Sequence, residues 1–151
     1  MSTVSTFRIG RITGLPAAEC WSRVTDWPAH GAAVPLTAVT VSGPGPAGVG
    51  TTVVARSGAG RFGFDDPMEI VEWEPPSEVR RGRCRLEKRG RVVTGWAEIE
   101  VHGTETGSVV LWVEELRVAL LPRRLDRVVA RVGRLVFARA LDALLNGRDR
   151  H

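Results

Sequence analysis

From Leu36 to Val118 the chain is a succession of β-branched runs broken by clusters of Gly, Pro, Ser and Asp, and behind them comes one long amphipathic stretch. Many strands followed by a single long helix leaves few folds open, because the strands must pair and the helix must bury its apolar stripe against the resulting sheet. The strands read as 37–42, 50–56, 67–73, 79–87, 92–101 and 108–118, separated by SGPGPAGV, SGAGRFGFDD, EPPSE, KRGR and HGTETG. Most of these connectors are too short for a parallel crossover, so antiparallel neighbours in a meander are expected.

Ahead of them, Phe7-Arg8-Ile9-Gly10-Arg11-Ile12 alternates apolar with polar or small residues and reads as a first strand, the seventh in all. The segment Leu15 to Val24 has Pro16 near a helix start and Ala17, Cys20, Trp21 and Val24 at helical spacing. A second short helical or turn segment, Asp26 to Gly31, follows, with Asp26 suited to cap it and Pro35 bounding it. After the last strand, Leu121-Pro122 opens a helix of about 24 residues, or about 36 Å at the usual rise. Pro122 falls near its first position and Asn146-Gly147 stops it. Its apolar stripe is Leu125, Val128, Val129, Val132, Leu135, Val136, Ala140 and Leu144, and Arg123, Arg127, Arg131 and Arg134 form a solvated face. The expected class is α+β: a curved seven-stranded antiparallel sheet gripping the C-terminal helix, with two short helices after strand 1.

A chain of 151 residues buries one sizeable core and divides poorly into two, so residues 1–151 are expected to form one domain. No apolar stretch is long enough for a membrane span, and the N-terminal residues lack the apolar core of a secretory signal, so a cytoplasmic location is expected. Cys20 and Cys84 lie far apart without CxxC spacing and read as buried, reduced thiols. The formal charge of +4 raises the question of a polyanion partner. Of the 21 basic residues only Lys88 is lysine, and the arginines are spread along the chain, so no nucleic-acid partner is expected.

Four features, in order, resemble one superfamily. They are the strand followed by LPAAECWSRVTDWPAHGAAVP, the strand entry Gly48-Val49-Gly50-Thr51, the segment DPMEIVEWEPP ending in Pro75-Pro76, and VVLWVEELRV before the long helix. Over essentially the whole chain this pattern is similar to the START/Bet v 1-like (SRPBCC) superfamily, in its polyketide cyclase/dehydrase-like branch. The resemblance implies a helix-grip fold around an apolar cavity, which members of the superfamily use for binding, transport, cyclisation or other reactions. Lipid-like or other hydrophobic ligands fall within that range, and no cofactor is implied.

Strand phase selects the residues that would face such a cavity. On 92–101, Val93, Gly95, Ala97, Ile99 and Val101 form the small or apolar set, and the small residues at 95 and 97 leave room. Cys84 and Leu86 point inward with Arg83, Arg85 and Glu87 outward, and Met68 and Ile70 suit the inner face. The last strand offers two inward sets, Val109/Leu111/Val113 or Val110/Trp112/Glu114/Leu116, and the resemblance favours Trp112 and Glu114. The candidate ligand-binding set is thus Met68, Ile70, Cys84, Leu86, Val93, Gly95, Ala97, Ile99, Trp112 and Glu114, with Val129, Val132 and Val136 from the helix.

An inward Glu114 needs a hydrogen bond, a counter-charge or a proton, which makes it the first polar candidate. Asp66 is the second, with Arg139 as a counterion. The plainer readings are a solvated strand end for Glu114 and a turn residue for Asp66. Gly58-x-Gly60-x-x-Gly63 matches a dinucleotide fingerprint by letters, yet it precedes a strand instead of opening a helix. His30, His102 and His151 form no metal pair, there is no GxSxG elbow, and the tryptophans at 21, 27, 73, 96 and 112 read as packing. The expected function is therefore binding of a hydrophobic or aromatic small molecule. The alternatives are a cofactor-independent cyclase or dehydratase using Glu114 or Asp66, and an interaction protein using the arginine face of the helix; homodimerisation stays open.

Overall fold

The computed structural model of the chain describes residues 2–34, 36–43, 46–58, 61, 63–119 and 121–147. Pro35, Gly60 and His151, singled out above, lie outside the described residues. The elements run β1 (Ser2–Thr13), α1 (Ala17–Val24), α2 (Trp27–Ala33), β2 (Thr37–Ser42), β3 (Thr52–Ser57), β4 (Phe64–Glu74), β5 (Gly82–Arg89), β6 (Val93–Thr104), β7 (Gly107–Ala119), a 3-10 turn (Arg123–Leu125) and α3 (Asp126–Leu145). The seven strands form one sheet in the order β1-β7-β6-β5-β4-β3-β2, and every neighbouring pair is antiparallel. This is the expected α+β helix-grip architecture.

β1 and β2 occupy opposite edges of the sheet, so α1 and α2 carry the chain across its width, six inter-strand gaps of about 4.8 Å or about 29 Å in all. Asp26 caps α2 as its sequence position suggests, its carboxylate accepting from the Ala29 amide at 3.4 Å. α1 buries Cys20, Trp21 and Val24, and Trp21 meets Trp73 of β4 edge-on at 5.1 Å. Cys20 and Cys84 are buried free thiols, and burial pushes them up to about 11 and about 12.

Two local devices shape the sheet. The β4–β5 register slips between Ile70 and Glu72, a bulge that bends the strand. Gly95 in β6 has φ +122, and a Cβ there would stand 2.0 Å from the Glu115 carbonyl oxygen of β7, so only glycine lets the two strands approach. Its smallness is thus required by the backbone.

The long helix departs from expectation in length and in roll. It has 20 residues, about 30 Å at 1.5 Å per residue, and Pro122 caps the preceding 3-10 turn instead of starting the helix. Its buried residues are Ala140, Leu141, Leu144 and Leu145, while Val128, Val132 and Leu135 of the expected inward stripe are 53–55% exposed. The sheet is met instead by Gly133, whose missing side chain lets Phe7 and Leu116 pack on the helix, and by Phe137, stacked on Phe7 at 5.7 Å. Arg11 pairs with Asp142 at 2.7 Å, and Arg23 donates to the Leu145 carbonyl at 2.9 Å, fixing the C-terminal end. No helix among the described residues is long and apolar enough to cross a membrane.

Candidate functional site

On β5, side chains alternate so that Cys84, Leu86 and Lys88 are all buried and face α3, while Arg83 and Arg85 are matched on the outer face with Glu98. Trp96 belongs to that outer face too, under the Arg85 guanidinium at 4.7 Å. β7 places Val110, Trp112 and Glu114 inward, which settles its phase in favour of the Trp112 and Glu114 set.

Lys88 is the centre of a buried ion cluster. Its ammonium donates to Asp66 Oδ2 of β4 at 2.7 Å, lies 3.3 Å from Glu114 Oε1 of β7, and touches the Met68 sulfur at 3.5 Å. Between β5 and β7 runs β6, where Gly95 stands beside Lys88 and Ala97 beside Glu114. Two strand spacings, about 10 Å, separate the lysine and glutamate backbones, and the long lysine stem spans that distance to bring its ammonium 3.3 Å from Glu114.

Charge and burial act against each other in the cluster. Burial lowers the pKa of Lys88, but Glu114 and Asp66 outweigh it and hold the ammonium above the ordinary lysine range. For Glu114, burial dominates over the attraction of Lys88, and the Asp66 charge adds to it, so its carboxyl is raised above the ordinary glutamate range. Asp66 Oδ1 and Glu114 Oε2 have no hydrogen-bond partner among the described residues, and neither do the indole nitrogens of Trp27 and Trp112. Buried polar atoms left in this way are normally met by ordered water or by a guest.

Above the cluster lies a cavity of about 110 Å³, lined by Trp27, His30, Val34, Thr37, Val39, Val53, Ala55, Ser57, Asp66, Met68, Leu86, Lys88, Glu114 and Phe137. Trp27, His30 and Phe137 give the cavity its aromatic lining and are joined through Trp112 behind them: Trp27 to His30 at 5.1 Å, His30 to Trp112 at 5.5 Å and Trp112 to Phe137 at 5.2 Å. His30 donates from Nε2 to the Val24 carbonyl at 2.8 Å, which leaves Nδ1 as the acceptor of a neutral ring, and burial lowers its pKa. Among the described residues no group of three His, Cys, Asp or Glu is placed to hold a metal ion.

No protein-family model and no curated protein matches the sequence. Solved structures do match in three dimensions. The Zhui aromatase/cyclase from Streptomyces sp. R1128 superposes with a TM-score of 0.67 at 12% identity, covering 99% of this chain and 97% of that one. Norcoclaurine synthase from Thalictrum flavum, in complex with dopamine and hydroxybenzaldehyde, gives 0.56 at 18% identity over 100% and 90%. The di-domain aromatase/cyclase StfQ from the steffimycin pathway gives 0.69 at 7% identity, with 95% of this chain matching 50% of that protein. The fold is that of the START/Bet v 1-like proteins.

Within this helix-grip fold the expected residues fall into three groups. Met68, Leu86, Glu114 and Asp66 line the cavity; Ile70, Cys84, Val93, Ala97, Ile99 and Trp112 are buried in the core around it without lining it, and Gly95 serves the backbone. Val132 faces solvent and neither Val129 nor Val136 reaches the cavity, because Gly133 and Phe137 take the sheet-facing side of α3. Glu114 is not a solvated strand end and Asp66 is not a turn residue, since both lie buried within strands. Their counterion is Lys88, and Arg139 is exposed. Lys88 itself was legible: the inward phase of Cys84 and Leu86 continues to position 88 if the strand is carried past Glu87.

Glu114 makes stability depend on pH in a definite sense. A carboxyl raised in the folded state contributes fully below the ordinary glutamate range, and its contribution falls as pH climbs through the raised value. Urea midpoints of the wild type should therefore decline across that window relative to those of Glu114→Gln, and the difference between the two curves removes the opposite slope due to His30. Parallel curves would show that Glu114 is not perturbed.

Proposed function

We propose that the protein binds a small, largely apolar molecule, about one aromatic ring in size, in the cavity between the sheet and α3, and that the Lys88–Asp66–Glu114 cluster reads a polar substituent on it. The observation that carries this reading is an aromatic-walled cavity whose floor holds a buried ion cluster with carboxylate oxygens still unmatched. Drug-sized sites usually run from about 300 Å³ upward, whereas an apolar cavity of about 150 Å³ accommodates benzene. At about 110 Å³ the space suits a single ring after a small adjustment of its walls. Norcoclaurine synthase, solved with dopamine and hydroxybenzaldehyde, is a protein of the same fold with guests of that size.

A second reading, a proton-shifting enzyme of the cyclase or dehydratase kind, is favoured by one feature: a buried carboxyl with a raised pKa 3.3 Å from an ammonium, a setting suited to a general acid. It gains support from the aromatase/cyclases among the structural neighbours.

One NMR experiment tests both. Titration with p-cresol, benzyl alcohol, toluene and acetophenone should shift the indole signals of Trp27 and Trp112, with the two hydroxyl compounds binding more tightly than toluene. Absence of any shift at millimolar ligand, with no small molecule retained in native mass spectra, would overturn the binding reading. In the same samples, deuterium exchange at the acetophenone methyl group that disappears in Glu114→Gln would support the enzyme, and unchanged background exchange would count against it.

A further inference from the structure

We propose that the first turns of α3, with the 3-10 turn before them, dock the protein on an anionic lipid bilayer, Val128, Val132 and Leu135 entering the headgroup boundary while neighbouring arginines hold lipid phosphates. Positions 128, 132 and 135 follow the i, i+4, i+7 rule, so these side chains form one ridge, and each is more than half exposed. Apolar residues of this size rarely line up in solvent without a partner. The roll of the helix explains why they do here: Gly133 and Phe137 face the sheet, and the Arg134 guanidinium reaches the Arg8 carbonyl of β1 at 3.3 Å, so the ridge is turned outward.

Charge identifies the partner. Arg123, Arg124, Arg127, Arg131 and Arg134 are all exposed along this stretch, and none of them forms an ion pair with a described residue. The arginines of β5 behave otherwise: Arg83, Arg85 and Arg89 are each matched to glutamates. Five exposed arginines without a carboxylate partner among the described residues thus flank the apolar ridge. A second copy is a poor occupant, because twofold packing of this helix on itself would bring two arginine rows together. A bilayer surface with anionic headgroups takes both the apolar ridge and the cations of an interfacial amphipathic helix.

Co-sedimentation of the full chain with phosphatidylcholine vesicles, and with vesicles that also contain phosphatidylglycerol, tests the proposal. Binding is expected only to the anionic vesicles and should weaken with salt. Each arginine near such a surface is worth roughly fivefold in partitioning, so Arg127→Glu/Arg131→Glu should lower it by more than about tenfold. Val132→Asp/Leu135→Asp should lower it by about tenfold or more as well, with an unchanged thermal melt, because both residues are exposed. Equal binding to both vesicle types, no binding to either, or full binding by the aspartate variant would overturn the proposal. So would a dimer in sedimentation equilibrium that the aspartate variant abolishes, since the occupant would then be a second copy.

Discussion

Lys88→Met is expected to lower the unfolding free energy at neutral pH by about 3–5 kcal/mol, the usual cost of removing one member of a buried ion cluster. The ammonium is the only cation within contact of Asp66 Oδ2 and Glu114 Oε1 among the described residues, and its side chain is 3% exposed, so solvent cannot replace it. The variant keeps the stem volume and leaves two carboxyls facing each other in an apolar surround. Part of the loss should return as pH falls and they take up protons. Most should return at neutral pH in Lys88→Met/Asp66→Asn/Glu114→Gln, where no charge remains to be desolvated. Urea denaturation measures all of this. If the single variant does not fold, recovery of folding in the triple variant carries the same information. A loss below about 1 kcal/mol would mean that the three groups do not act as a buried cluster at all.

The second large effect is expected at Phe137, the one residue of α3 that lines the cavity. It stacks on Phe7 at 5.7 Å and meets Trp112 at 5.2 Å, so it both holds the helix to β1 and closes the ring wall. Phe137→Ala should cost about 3 kcal/mol, at the lower end for aromatic truncation because the side chain is only partly buried. The same change enlarges the cavity. The variant should then bind two-ring guests such as 2-naphthol more tightly than the wild type does, while losing affinity for p-cresol. Denaturation gives the first quantity, and fluorescence titration of Trp27 and of Trp112, which adjoins Phe137, gives the second. Undiminished stability together with an unaltered preference for one-ring guests would remove Phe137 from the site.

Much of this fold could be read from alternation alone. Strands 37–42 and 108–118 lie within a residue of their observed bounds, and the inward set on β5 and β6 follows from their period of two. The errors have physical causes. In the pattern, strand 79–87 ends before Lys88 because a lysine followed by Arg-Gly-Arg looks like a turn, whereas the backbone continues to Arg89 and the charge is matched by carboxylates from two other strands. Nothing local announces such a partnership; Asp66 and Glu114 are 22 and 26 positions away in sequence, and only the folded sheet unites them. The roll of α3 was misjudged for a related reason. Counting apolar residues favours the valine stripe and gives glycine no weight, but close approach to a sheet depends on where a side chain is missing, and Gly133 decides it. Cavity size lies beyond pattern reading altogether, since it is the small remainder after Trp27, His30, Trp112 and Phe137 have filled most of the interior.

The placement of β1 has a kinetic consequence. Its sole neighbour is β7, so Ile9 waits for Trp112, about a hundred residues later in synthesis. At common translation speeds of 5–20 residues per second nascent β1 is without its ladder for about 5–20 seconds. The remaining six strands can zip as successive hairpins, whereas this last closure joins strands about a hundred residues apart, the largest separation between paired strands of the sheet. Registering β1 against β7 is then the late, slow step of folding, and the earliest strand of the sheet to be made is the last to find its ladder.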